Sequence, residues 1–171
     1  MIFLKNKSFL LTFLLVLSFI SIQAQMTNQK MDEIFKKEAT EVEGNLGGWQ
    51  MIYGEQLIVV ITDEKANRMR IFTPVVEEEK TKRGDLKKML EANFHSALDA
   101  KYCLYNGFVI SVFTHPLKEL TDMQLIDAMR QVVTLVNNYG TTFSSTGWVF
   151  GSGFEKEEPR INQSPSRGKK N

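Results

Sequence analysis

Two apolar runs joined by Asn106-Gly107 constrain the fold of this chain more than any other feature. The runs cover residues 102–105 and 108–113 and are rich in aromatic and β-branched side chains. Asn-Gly adopts the two positive φ angles of a type I′ turn, whose twist matches that of two paired antiparallel strands. The chain therefore contains a β-hairpin, and the rest of the fold must supply a sheet that continues it.

Three stretches before the hairpin also predict strands. Residues 49–53 are short and apolar, and residues 57–61 form an unbroken run of aliphatic, mostly β-branched side chains, which is typical of a central strand. Residues 68–76 predict a third strand that contains Pro74. Because proline cannot donate to a ladder, this strand is expected to lie at an edge or to carry an irregularity at Pro74.

Apolar residues at helical spacing predict three helices. The first covers residues 28–42 and ends at Gly44, and the second takes Asp85 as its N-cap. The third begins with a capping box between Thr121 and Gln124, in which each residue bonds the backbone of the other. The side chains expected to be buried are Met31, Ile34, Phe35 and Val42 in the first helix, Leu86, Met89, Leu90, Phe94 and Ala97 in the second, and Leu125, Ile126, Met129, Val132, Val133 and Val136 in the third. The predicted fold class is α+β, an antiparallel sheet with helices packed on one face, in the order α-β-β-β-α-β-β-α.

The start of the chain has the pattern of a secretory signal peptide. Residues 1–24 have a basic beginning with Lys5 and Lys7, a run of about a dozen apolar residues, and small residues before Gln25. We expect cleavage between Ala24 and Gln25, and export to the periplasm or the medium. An uncleaved anchor is the alternative, but the apolar run is shorter than the roughly 20 residues that span a bilayer. No stable membrane anchor is therefore expected after cleavage.

The remainder divides into a domain and a tail. Residues 155–171 hold two prolines and one large apolar side chain, a composition that favours a disordered polar tail. Residues 25–154 are expected to form a single domain. Within it, residues 143–154 are aromatic but rich in Gly and Ser, and predict either a last short strand or a strip lying over the core.

Charge and cysteine content exclude several classes of function. The chain has 21 Lys and Arg against 20 Asp and Glu, a net charge of +1, so there is no basic surplus for nucleic acid. One Cys cannot form an intramolecular disulfide, and with two His it cannot build a common structural zinc site. We therefore expect no nucleic-acid partner, no metal-binding residues and no cofactor.

Cys103, His95 and His115 are the residues that could support nucleophilic or acid–base chemistry. Cys103 lies in a hairpin strand, where a cysteine is usually buried as a small hydrophobe and lacks the electropositive setting that forms a thiolate. His115 falls at a strand end before Pro116, and His95 pairs most simply with Asp99 at helical spacing. The sequence therefore predicts no catalytic residues.

Two other clusters could suggest a ligand site. Residues 44–48 are rich in glycine, but they follow a helix, whereas phosphate sites use the amides at a helix N-terminus. Residues 77–79 are three consecutive Glu, and adjacent side chains cannot all point at one cation in a helix or a strand. Neither cluster predicts cofactor-binding residues, and the residues that bind a partner are unknown at this stage.

Packing and turn residues carry a resemblance to a known family. They are Leu90-Glu91-Ala92-Asn93-Phe94, Tyr102-Cys103-Leu104 with the Asn106-Gly107 turn, Pro116-Leu117 and Leu120-Thr121. Residues 86–145 resemble the type III secretion chaperone-like superfamily, in particular its YbjN-like branch of small bacterial domains. Residues 49–76, which end in Thr73-Pro74-Val75, are similar to the first half of that family's sheet.

The resemblance implies a domain that is often a homodimer, binds a protein segment and performs no chemistry. Secretion chaperones hold effectors in the cytoplasm, whereas residues 1–24 predict export, and in this the chain departs from them. The function expected is that of an exported, non-enzymatic protein-binding or chaperone-like domain, which takes an extended or helical peptide on an apolar face. The alternative is a carrier of a small ligand or lipid in an aromatic-lined cavity.

Overall fold

The structure, a computed structural model, describes residues 25–146. In chain order, these residues form α1 (Asn28–Glu38), β1 (Thr40–Asn45), β2 (Gly48–Tyr53), β3 (Gln56–Asp63), β4 (Arg68–Glu77), a short 3-10 helix (Glu78–Lys80), α2 (Arg83–His95), β5 (Lys101–Tyr105), β6 (Phe108–His115) and α3 (Asp122–Asn137). The predicted α+β fold and the order of its elements are confirmed, and β1 is a further strand at the start of the sheet.

The described strands form one antiparallel sheet in the order β1-β2-β3-β4-β6-β5. One face of this sheet packs against the helices, and we call it the inner face. Its side chains include Trp49, Met51, Ile58, Val60 and Ile71, which share a hydrophobic core with residues of α1, α2 and α3. The opposite face is called the outer face below.

The two strongest local predictions are confirmed. Asn106 and Gly107 have φ angles of 48° and 77°, and Tyr105 pairs with Phe108 across them. At the start of α3, the Thr121 hydroxyl accepts from the Gln124 backbone, and the Gln124 side chain accepts from the Thr121 backbone. Both motifs depend only on neighbouring residues, so local sequence was sufficient to predict them.

Pro74 lies inside the sheet and is accommodated by an irregularity. The strand β4 is central, between β3 and β6, and its register with β6 shifts between Pro74 and Val76. The pairing of β4 with β3 ends at Phe72, two residues before Pro74. Both arrangements that the sequence left open are therefore found at this point, because the strand is unpaired on its β3 side and irregular on its β6 side.

The first helix is shorter than predicted, because pairing with β2 replaces its last turn. It ends at Glu38, with Ala39 already extended, and Val42 lies in β1. Gly44 does not stop a helix but lies in β1, with a φ of 112°. A Cβ there would be 2.3 Å from the Gly48 carbonyl oxygen, so only glycine permits this close approach of β1 to β2.

The second helix also differs from the prediction. It begins at Arg83 after Lys82, which makes no side-chain capping bond, and Asp85 lies in the first turn rather than at the N-cap. Met89 is buried, but Leu90 and Phe94 are 70% and 76% exposed. The helix packs mainly against β5 at the sheet edge, so only a narrow side of it is covered and the predicted buried stripe was too wide.

A candidate protein-binding face on the sheet

The outer face of the sheet is apolar although no described helix covers it. Strand register places Leu57, Val59 and Ile61 of β3 on this face, opposite Ile52 of β2 and Phe72 of β4. The same register continues through Val112 and Ile110 of β6 to Cys103 and Tyr105 of β5. Apolar side chains therefore cross the sheet from β2 to β5 on its open side.

A shallow groove of about 310 Å³ runs across this face. Its floor includes Phe72, Ile110 and Val112, and Ile61 and Tyr105 lie at its two ends. Ile61 is 42% exposed and Tyr105 is 56% exposed. Large apolar side chains that remain this open on a contiguous surface are typical of a binding face.

One basic side chain borders the groove. Arg70 lines it and is paired in register with Ile61 on one side and Thr114 on the other. Among residues 25–146, no carboxylate forms an ion pair with Arg70. The groove thus combines an apolar floor with a cation that is available to a partner's carboxylate.

The edge next to the groove is closed by side chains from the helices. Asn93 of α2 donates to the Tyr102 carbonyl at 3.0 Å and accepts from the Tyr102 N–H at 2.8 Å. Just before β5, the Ala100 N–H donates to Gln131 of α3. Because outward-facing backbone groups recur at every second residue, only those of Leu104 remain open along β5. This edge offers too little free backbone to add another strand.

The opposite edge is closed by its own irregularity. In β1 the register shifts between Thr40 and Glu43, and Glu41 and Gly44 both have positive φ angles. A bulge and exposed carboxylates are two devices that prevent strand addition at a sheet edge. The accessible apolar surface of the sheet is therefore its outer face and not either edge.

Gln131 is a structural residue that sequence reasoning missed. Its side chain is buried on α3, where its Oε1 accepts from the Asp99 and Ala100 backbones at 3.0 and 3.1 Å, and its Nε2 donates to Asp127. It lies between Arg130 and Val132 in the sequence, and Ala128 and Leu135, one helical turn away on either side, are buried. In the sequence, only its position one helical turn from apolar residues could have indicated that this glutamine is buried.

Gln131 and Lys101 also line a polar cleft of about 370 Å³, together with His115 and Asp127. Lys101 donates to the Leu98 carbonyl, and burial lowers the pKa of its ammonium group, with Asp99 acting in the opposite direction. Within residues 25–146, no group of His, Cys, Asp and Glu side chains is arranged to hold a metal ion. Among the polar groups of this cleft, Gln131 holds α3 to the segment just before β5.

The prediction that Cys103 is buried was wrong. Cys103 is exposed on the outer face, because no described helix packs on that side of the hairpin. Its neighbours still desolvate the thiol and raise its pKa, with Arg70 acting in the opposite direction. A raised pKa keeps the thiol protonated at neutral pH, and a protonated thiol is a poor nucleophile.

The structure does not bring Cys103 and His115 together. Cys103 pairs with Ile110, and His115 is five residues further along β6, which is about 17 Å along an antiparallel strand. His115 is a strand-end residue as predicted, with Nδ1 2.7 Å from the Pro116 carbonyl oxygen. Alternation along β6 also places His115 on the inner side of the sheet, away from Cys103.

His95 is the last residue of α2 and makes an edge-on contact with Phe94. Asp99 therefore lies beyond the helix, and the helical spacing on which the predicted pairing of His95 with Asp99 rested does not apply.

Residues 44–48 form the turn and strand ends of the β1–β2 hairpin. Glu78 and Glu79 lie in the short 3-10 helix after β4. The glycine-rich residues 44–48 are therefore not at the N-terminus of an α-helix, where anions bind.

Several predictions concern residues outside the described range. They are the signal peptide, Ala24 of the cleavage site, the stretch from residue 147 to 154 and the tail at residues 155–171. Gln25, on the other side of the predicted cut, is the first described residue and is exposed. Phe143, at the start of the aromatic stretch, is buried against Tyr102 and Tyr139. Within residues 25–146, no helix has the length and apolar character needed to cross a membrane.

The element order, the six-stranded antiparallel sheet and the three helices define the fold of the type III secretion chaperones. A chain of the solved HopA1–SchA chaperone–effector complex matches with a TM-score of 0.51 and 13% identity, over 66% of this chain and 92% of that one. The Yersinia pestis type III secretion chaperone SycH, solved with a fragment of YscM2, matches with a TM-score of 0.49 and 13% identity, over 63% and 94% of the two chains. No protein-family model and no curated protein matches the sequence.

Proposed function

We propose that this chain is an exported, non-enzymatic protein-binding domain whose outer face takes an extended apolar segment of a partner protein. One observation carries the proposal: the sheet exposes a continuous apolar face while both of its edges are closed. The fold shared with a chaperone from a chaperone–effector complex is consistent with this role. The YbjN-like branch remains part of the proposal, as the sequence resemblance implies.

The groove specifies the chemistry of the partner segment. From β3 to β5 it crosses four neighbouring strands, a distance of about 14 Å at the usual strand spacing. An extended chain covers that distance with about five residues, and alternate side chains then point toward the sheet. We therefore expect two or three apolar residues at alternate positions, with an Asp or Glu placed to pair with Arg70.

A carrier of small ligands receives no comparable support. The groove on the outer face is open rather than enclosed, and the buried aromatic side chains of the described domain pack against one another. Phe35 contacts Trp49 with ring centroids 5.3 Å apart, and Phe143 contacts Tyr102 at 6.2 Å. These rings fill the core and do not line a cavity.

The first test uses a random peptide library displayed on phage, since the natural partner is unidentified. We expect the purified protein to select peptides with alternating apolar residues and one carboxylate. Their affinity should fall about tenfold or more when Ile61→Asn and Tyr105→Asn are combined, because each removes an apolar anchor at one end of the groove. Arg70→Gln should weaken binding less and should reduce its dependence on salt.

Met123→Asn provides a matched control for this test. Met123 is 82% exposed on α3, so its replacement removes an exposed apolar side chain without touching the outer face. Selected peptides that bind the groove variant as tightly as the control would contradict the proposal, as would a library that yields no consensus. Light scattering on the same samples reports whether a second copy of the chain, the homodimer implied by the resemblance, occupies the face instead.

Export is a separate part of the proposal with its own test. The described domain makes its first contact at Met26, which is buried and donates to the Lys118 carbonyl, so a cut before Gln25 would leave these contacts intact. We expect cells to accumulate outside the cytoplasm a protein whose first residue is Gln25. Ala24→Tyr should block this processing because the cleavage site needs a small residue. N-terminal sequencing of both proteins checks it, and an unprocessed wild-type chain in the cytoplasm would contradict it.

A further inference from the structure

The exposed side of α2 is a second apolar surface, separate from the groove. Leu90 and Phe94 are the residues concerned, and together they are called the α2 patch. They lie one helical turn apart and point to the same side. Leu104 on the neighbouring strand β5 is also apolar and is 52% exposed. A helix with a Leu and a Phe this exposed to solvent usually packs against another segment or another protein.

The described chain ends next to this helix. The Ser145 N–H donates to the Ser96 carbonyl, and the Ser145 hydroxyl donates to the Ala97 carbonyl at 2.8 Å. Ser96 is the C-cap of α2, two residues beyond Phe94. The chain that follows Thr146 therefore starts at the same end of the helix as the α2 patch.

The sequence beyond this point has the composition needed to cover the patch. It reads Gly147-Trp148-Val149-Phe150-Gly151-Ser152-Gly153-Phe154. Eight extended residues reach at most about 28 Å, which exceeds the roughly 10 Å width of a helix plus the distance from Ser96 to Leu90. Alternate residues of an extended chain are about 6.6 Å apart, close to the 6 Å between positions four apart on a helix. Trp148 and Phe150 therefore match the spacing of Phe94 and Leu90.

We propose that the α2 patch is covered by this chain's own residues 148–154, with Trp148 and Phe150 placed on Phe94 and Leu90. The bound segment would screen α2 from other copies of the chain and leave the outer face of the sheet free. The inference does not depend on the proposed function, because it concerns another surface.

Quenching of tryptophan fluorescence by acrylamide tests the proposal. The sample is the protein purified in the form that accumulates in cells. Trp49 is 2% exposed and contributes a shielded signal, which a Trp148→Phe variant measures alone. We expect Trp148 to be shielded in the wild-type protein. Combining Leu90→Asn with Phe94→Asn should raise its quenching constant severalfold, whereas Met123→Asn should leave it unchanged. Circular dichroism confirms that each variant is folded, as expected for exposed positions.

Two results would overturn the proposal. Equal quenching of Trp148 in the wild-type protein and the double variant would show that the segment does not rest on the α2 patch. Shielding that disappears on dilution would show that a second copy of the chain supplies the contact. Shielding that is independent of concentration and lost only in the double variant supports the assignment.

Discussion

Replacing Trp49 with alanine is expected to lower the free energy of unfolding by about 4 kcal/mol, the usual cost of removing a large aromatic side chain from a core. Trp49 lies on the inner face of β2, and its ring contacts Phe35 of α1 edge-on at 5.3 Å. Its indole N–H donates to Asp32 of α1 at 3.1 Å. One side chain therefore joins α1 to the sheet through both apolar and polar contacts. Urea denaturation followed by circular dichroism measures the loss.

Two control variants make the Trp49 result specific. Leu46→Ala removes a side chain that is 56% exposed in the β1–β2 turn and should change the free energy by less than about 0.5 kcal/mol. Trp49→Phe keeps a ring against Phe35 and should cost less than Trp49→Ala. A Trp49→Ala protein as stable as the Leu46→Ala control would refute the role assigned to this residue.

These measurements belong at neutral pH because Asp32 titrates differently in the folded chain. The hydrogen bond from Lys36 and then the one from Trp49 lower the pKa of Asp32 below its ordinary value of 3.8. A lowered folded-state pKa means that the carboxylate contributes stability above about pH 4 and that this contribution is lost as the pH falls through the folded-state value. Asp32 is half-buried but its partner Lys36 is exposed, so the contribution is small.

The second large effect is expected at Gln131. Replacing Gln131 by methionine, which has a similar shape, should lower the free energy of unfolding by about 3 kcal/mol, because each buried donor left without an acceptor costs about 1–3 kcal/mol. The two donors are the backbone N–H groups of Asp99 and Ala100. Chemical denaturation measures the change, and hydrogen exchange at these two amides should become faster in the variant.

Combining Gln131→Glu with Asp127→Asn tests the two hydrogen bonds with little change in the size of the side chains. The carboxylate at position 131 still accepts from both backbone groups, and the asparagine amide replaces the donor that is lost where Gln131 Nε2 met Asp127, so the loss should be smaller than for Gln131→Met. Arg130→Met adds the same side chain at an exposed neighbouring position, where the ion pair with Asp127 is worth little. A Gln131→Met protein as stable as the Arg130→Met control would contradict the importance of these two bonds.

The candidate face shows how far sequence patterns could reach. The β-branched run of residues 57–61 predicted a central strand, and β3 is one. Its alternation also separates inner Ile58 and Val60 from outer Val59 and Ile61. Both sets are apolar, however, so the pattern could not show which of them a helix would cover.

The helices show the same limit of sequence patterns. In α3 the predicted Leu125, Met129 and Val132 are fully buried, since this helix lies across the middle strands of the sheet. In α2 the same reasoning failed for Leu90 and Phe94, because that helix packs at the edge strand. Periodicity predicts an apolar side of a helix, and the position of the helix on the sheet decides how much of it is buried.

The sequence by itself determined the features that depend on adjacent residues. They are the Asn106-Gly107 turn and the Thr121–Gln124 capping box, each of which follows from the backbone geometry or hydrogen bonding of a few neighbouring positions. Together with the spacing of apolar residues, these features were enough to predict the α+β fold and its order of elements.

Only the tertiary structure decided which of these surfaces remain open. The pairing of β1 with β2, the exposure of Cys103, the closure of the β5 edge by Asn93 and the open outer face all depend on contacts between residues distant in sequence. Burial is a property of what packs against a side chain and not of the side chain alone. The surfaces to which we assign binding were therefore visible only once the helices had been placed on the sheet.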